Sequence, residues 1–164
     1  MVKSWFKRGL STRGNPMAIA NSFSESPKAS IFETVGDDHM SFWERRHFRP
    51  QKVVNFFGFE KKDISRIASV SDKSVRYDEK MPEAVGERLE EIANIVNLVA
   101  EIFDGDTTKT ALWFKTQNPI LGDVSPRDMI RLGRYARLRK YVFEAAMTNR
   151  SAQKSSKANK HSKS

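Results

Sequence analysis

The chain has 164 residues, no cysteine, and 29 Lys and Arg against 20 Asp and Glu, a net charge of +9. This length fits one domain or two small ones, and the lack of cysteine excludes disulfides and thiolate metal sites. Residues 1–24 carry Lys3, Lys7, Arg8 and Arg13, and residues 147–164 carry Arg150, Lys154, Lys157, Lys160 and Lys163, with no acid in either stretch. These nine residues account for the whole excess, so the middle of the chain is neutral. The first 40 residues are rich in Ser, Gly, Asn and Pro and show no sustained period, so a flexible arm is expected over about 1–47. Pro50 suits a helix start and Gly58 a helix end, which predicts a short helix over 50–57 with Val53, Val54, Phe56 and Phe57 as its apolar faces. A second helix is expected over Lys61–Ala68, with Ile64, Ile67 and Ala68 inward. Ser71 or Asp72 can cap a third, running to about Lys80.

The firmest expectation is a long helix over about 82–103. Val85, Leu89, Ile92, Val96, Val99 and Phe103 repeat at spacings of four and three, and Ile95, Leu98 and Ile102 form a second stripe beside them. A helix apolar over two stripes has to be covered on two sides, by its own domain or by a second copy of the chain. Gly105 ends this helix, Asp106 or Thr107 opens the next, to about Lys115, and Asn118-Pro119 with Leu121-Gly122 makes a compact turn. Ser125 is a natural cap for a helix that begins at Pro126 and stops at Gly133. A last helix over 134–147 places Leu138, Tyr141, Val142 and Ala145 inward and leaves Arg134, Arg137, Arg139 and Lys140 outside. The fold class expected is all-α, with no strand-like alternation and disordered basic tails.

Residues 61–77 have the outline of a helix-turn-helix. Ser65, Val70 and Val75 fill the crossing, turn and anchor positions, and Ser71, Lys73, Ser74, Arg76, Tyr77 and Lys80 would lie near a groove. Two positions depart from that pattern. Ser69 stands where glycine is favoured, and Asp78 stands where the recognition helix needs a second apolar anchor.

Residues 112–133 combine a tryptophan-bearing helix end, Trp113, with Asn118-Pro119-Ile120-Leu121-Gly122 and Ser125-Pro126-Arg127-Asp128-Met129-Ile130. This arrangement resembles the C-terminal toxin-binding domain of the Xre/MbcA/ParS antitoxin family. The resemblance covers about 84–147 and is best over 111–133. One departure is Asp123, where a second glycine or small residue is common. The resemblance implies an antitoxin that binds a RES-domain toxin, an NAD-consuming enzyme, and blocks substrate access. It implies contacts at Trp113, Asn118, Pro119, Leu121 and Met129. Charge and position add the last helix and the segment after it, through Arg134, Arg137, Arg139, Lys140 and Arg150. Many members of that family also carry a helix-turn-helix-like part and repress their own operon.

The expected organisation is therefore an arm over 1–47, a helix-turn-helix-like part over 48–81, a toxin-binding domain over 82–147 and a disordered tail over 148–164. The expected partners are a cognate toxin, operator DNA and a second copy of the chain, alone or in a larger assembly with the toxin. No apolar run nears the roughly 20 residues of a membrane span, and the basic start has no apolar stretch behind it, so no membrane partner and a cytoplasmic location are expected. Catalysis, cofactor and metal are not expected. His39, His47 and His161 are scattered, and no phosphate loop, Gly-x-Ser-x-Gly turn or helical His pair is present. Two rival readings are a DNA-binding regulator without a toxin and a structural adaptor that dimerises through the 85–103 seam.

Overall fold

The computed structural model describes residues 37–161, with side chains through Ser156. The first 36 residues of the expected arm lie outside the described residues. Described elements are a hairpin of β1 (Trp43–Glu44) and β2 (His47–Phe48), then helices α1 (Pro50–Phe57), α2 (Lys61–Ala68), α3 (Glu83–Ile102), α4 (Thr107–Lys115), α5 (Pro126–Arg131) and α6 (Tyr135–His161). Two short 3-10 turns lie at Asp72–Ser74 and Pro119–Leu121. The structure is thus mostly helical, as expected, with one small sheet.

Helix α3 is the axis. Every residue from Ile92 to Ala100 is buried, and so are Val85 and Leu89. Both apolar stripes are covered by the chain's own α1, α2, α4 and α6, the closest packing being with α6. The 85–103 seam is therefore filled from within as far as Val99, with Ile102 and Phe103 partly buried at its end. The expected 48–81 and 82–147 parts share a single hydrophobic cluster, which runs from Phe42 to Ala146. In α6 the inward positions are Leu138, Val142 and Ala146, with Tyr141 and Ala145 only half-buried.

The helix ends follow their sequence signals. Pro50 opens α1 and Gly58 closes it at φ 63°. Asp106 caps α4, accepting from the Lys109 N–H at 2.9 Å. Ser125 caps α5, accepting from the Asp128 N–H at 3.1 Å while its hydroxyl donates to the Asp128 carboxylate at 2.7 Å. One cap was not anticipated. Glu60 and Asp63 form a capping box with acids at both places, and the Glu60 N–H donates to Asp63 Oδ2 at 3.1 Å.

Three expectations change. The helix expected from Ser71 to about Lys80 is only a 3-10 turn at Asp72–Ser74, followed by extended backbone at Val75. Val75 is the one buried residue of that segment, so a longer helix would have no apolar face to cover. The last helix does not stop near residue 147 but continues to His161. Ala, Gln, Lys and Arg propagate a helix that is already nucleated, even with no core to pack on.

The hairpin is the third change. Trp43 pairs with Phe48 and Glu44 with His47, so Arg45-Arg46 alone forms the turn. Both arginines have positive φ, 47° and 68°, as a type I′ turn requires. Asn-Gly is the usual occupant, and an L-residue with a longer side chain is disfavoured there by about 1–2 kcal/mol. Trp43 and Phe48 turn inward together, with ring centroids 5.2 Å apart. The segment before the hairpin is pinned to α3. Asn97, buried on that helix, donates to Asp38 Oδ1 at 3.1 Å and accepts from the Met40 N–H at 3.0 Å. Asp38 in turn accepts from the N–H groups of Phe42 and Trp43.

Candidate partner-binding surface

The residues expected to bind a toxin fall into two groups. Leu121 and Met129 are buried, and Asn118 is spent on its own turn. Its side-chain oxygen accepts from the Ile120 N–H at 3.0 Å, and its backbone bridges to Val124. Pro119 is exposed at the start of the 3-10 turn. Trp113 is half-buried, its ring edge-on to Phe114 at 5.0 Å. Phe114 is fully buried among Phe56 and Phe57 of α1. Leu121, Met129, Asn118 and Trp113 therefore shape the platform. A partner would meet little of their side chains.

The platform is anchored by Arg127, whose Nε donates to the Phe57 carbonyl at 2.7 Å. Within the turn, Gly122 and Asp123 both take left-handed backbone, at φ 88° and 57°. That geometry explains why glycine would suit position 123, and aspartate is among the residues that tolerate it.

The basic group is the surface. Arg134, Arg137 and Lys140 are exposed and Arg139 is half-buried. The Arg137 guanidinium reaches the Ile120 carbonyl at 3.4 Å, which joins the start of α6 to the turn. Arg150 is already engaged. Its Nε donates to Glu101 Oε1 at 2.6 Å and its Nη2 to Oε2 at 2.5 Å, tying the middle of α6 to the end of α3. The Glu101 carboxylate holds the Arg150 guanidinium further toward its charged form. Of the five basic residues expected here, Arg150 is thus a brace, Arg139 is half-buried, and Arg134, Arg137 and Lys140 face outward.

Sequence reasoning missed three apolar residues on the exterior. Leu112 is 64 % exposed, Ile120 47 % and Leu132 45 %. Ile120 lies against Arg137, and Leu132 stands two residues before Arg134 at the α5–α6 corner. A signal for them was present. A helix as short as α5 can bury Met129 and Ile130 on one side, and Leu132 then falls outside it. In the Asn-Pro-Ile-Leu turn, Leu121 takes the inward place and leaves Ile120 out. Ile120 with Arg137, and Leu132 beside Arg134 at the start of α6, combine exposed apolar area with guanidinium donors for carboxylates or phosphates.

The residues expected at DNA are dispersed. The Ser71 and Ser74 hydroxyls bond each other at 2.6 Å. Arg76 is paired through Nε and Nη2 to Asp78, and this pairing holds the Asp78 carboxyl below its ordinary range. Tyr77 is half-buried, and burial raises its phenol. Lys73 and Lys80 are exposed but share no helix face.

Among the described residues, no three His, Asp or Glu side chains come together as metal ligands, and no helix is long and apolar enough to cross a membrane. No family model, curated protein or solved structure matches this chain.

Proposed function

We propose that this protein is an antitoxin that binds a RES-domain, NAD-consuming enzyme in the cytoplasm and covers its substrate site. The resembled motif supports this reading, and so does the surface it builds. The observation that carries it is the form of α6. The helix starts beside Leu132 and Arg134, leaves the core at Ala146, and continues with residues 151–156 exposed. A helix that projects beyond its own core, flanked by arginine and lysine, is suited to enter a partner's cleft that is built for a phosphate-bearing substrate. Autorepression of its operon is a second role that the family resemblance implies. The regulator reading that relies on residues 61–80 has less behind it, because the recognition helix is missing and Arg76 is already paired. The adaptor reading has less as well, since its seam is filled from within as far as Val99.

The test is co-expression with the adjacent reading frame, followed by affinity purification and mass analysis. A stable complex is expected, together with arrest or NAD depletion when the neighbour is expressed alone. Reversing the charges at Arg137 and Lys140 should weaken the complex while leaving the fold intact. A harmless neighbour that does not co-purify refutes the proposal.

A further inference from the structure

The hairpin tip is unused by any of these readings. Residues 43–52 hold Arg45, Arg46, Arg49 and Lys52 against Glu44 alone. Outside that stretch, residues 37–146 hold fifteen basic and seventeen acidic residues. The hairpin is therefore a local positive patch, separate in sequence from the basic cluster at the start of α6. Within it, Glu44 holds back two of the four cations, with Arg49 at 3.1 Å and Lys52 at 2.8 Å. Arg45 and Arg46 are exposed, and among the described residues neither makes an ion pair. Glu44, Arg45, His47 and Arg49 line one open cleft of ≈ 660 Å³ at the side of the tip.

The backbone adds a second, independent observation. Two adjacent arginines occupy the two left-handed positions of the turn, where Asn-Gly would sit without strain. Backbone strain of this kind persists where the side chains displayed are of use. Trp43 and Phe48 are partly buried against the core, and the two-residue tip, Arg45-Arg46, offers charge and N–H donors. At the tip itself a protein partner would find no apolar anchor, since the two turn residues are both arginine. Phosphates need none. A two-stranded ribbon, its strands about 4.8 Å apart, also fits the roughly 12 Å major groove of duplex DNA.

We propose that the 43–48 hairpin is a DNA-binding finger, in which Arg45 and Arg46 engage backbone phosphates of the duplex and Arg49 and His47 flank them. The contact is independent of sequence. It does not rest on the antitoxin reading and requires no helix-turn-helix.

The test compares the full chain with the Arg45→Asn, Arg46→Gly double variant, which removes both charges and installs the favoured turn. Binding of a short fluorescent duplex of arbitrary sequence is followed by anisotropy across a salt series, and folding is followed by thermal unfolding. The variant should unfold no earlier than the parent. It should bind roughly tenfold or more weakly at low salt, with a log–log salt slope shallower by about 1.8, the share of two phosphates. The Arg45→Lys, Arg46→Lys pair keeps the charge and should keep the slope. Absence of duplex binding by the parent overturns the proposal, as does a slope unchanged in the Asn-Gly variant, which would assign DNA affinity to the basic termini or to the basic start of α6. Loss of the slope in the lysine pair overturns it too. So does unchanged duplex binding with loss of the complex with the neighbouring protein, which would make an acidic protein surface the occupant.

Discussion

Residues 71–80 and 118–133 read alike in the sequence. Each offers a hydroxyl residue as a cap, an acid in the first helical turn and apolar residues further on. The second segment folds into a capped helix on a braced turn, whereas the first keeps three residues of 3-10 turn. The difference lies in what each can bury. Pro126, Met129 and Ile130 all enter the core, but Val75 enters alone. The caps differ accordingly. Ser125 accepts a backbone N–H, and Ser71 bonds another hydroxyl. A capping signal places a helix end only where a buried face supplies the stability that a short isolated helix lacks.

The largest test of this contrast compares the two anchors. Phe114→Ala removes the ring that seats 112–133 against α1, and should cost about 3–5 kcal/mol in denaturant unfolding. Val75→Ala should cost about 2 kcal/mol, from two methyl groups at roughly 0.8 each plus some residual cavity. Equal losses would mean that the two segments are anchored equally, against the burial of one residue in the first and several in the second. The caps give a smaller and sharper comparison. Ser125→Ala should cost about 1 kcal/mol, while Ser71→Ala should stay within about 0.5 kcal/mol, because no backbone N–H loses its acceptor.

The smallest effect is in the acid limb. Asp106 and Asp78 both have carboxyls held below the ordinary range, Asp106 first by the backbone N–H of Lys109 and Asp78 first by the side chain of Arg76. A depressed carboxyl contributes stability at and above its unfolded-state value, about 4, and loses it as pH falls through the folded value. Only Asp106 holds a helix end. Asp106→Asn, which keeps a capping oxygen, should flatten the acid-induced fraying of α4 followed by amide exchange below about pH 4. Asp78→Asn should leave helix exchange unchanged.

Much of the fold was legible because its signals were local and redundant. Pro50 with Gly58, the four-and-three seam of α3, Asp106, and Ser125-Pro126 with Gly133 each name an element end or face, and each is where expected. The hairpin was not legible. Its strands are two residues long and its turn residues are those least suited to the turn. The continuation of α6 was hidden for a different reason. Helix propagation needs no apolar period, so a polar stretch that mixes Ala, Gln, Lys and Arg with Ser and Asn reads the same as a tail. At the candidate surface, charge pointed to Arg134, Arg137 and Lys140. It could not show that Arg150 is bound to Glu101, because that pair spans 49 residues of sequence. Nor could it tell Ile120 from Leu121, where one residue's difference decides which side chain faces water.

The Arg150–Glu101 brace fixes where α6 stops being part of the globule. From that point eleven more residues of helix extend to His161, roughly 16 Å at 1.5 Å per residue. A cleft that receives this segment meets a helix already nucleated on the core, so less chain entropy is lost on docking than for a coil. The brace then acts as the fulcrum of a lever. Weakening it would leave the projecting residues chemically unchanged but free to point in many directions, and a complex that depends on aim would form more slowly before it bound less tightly.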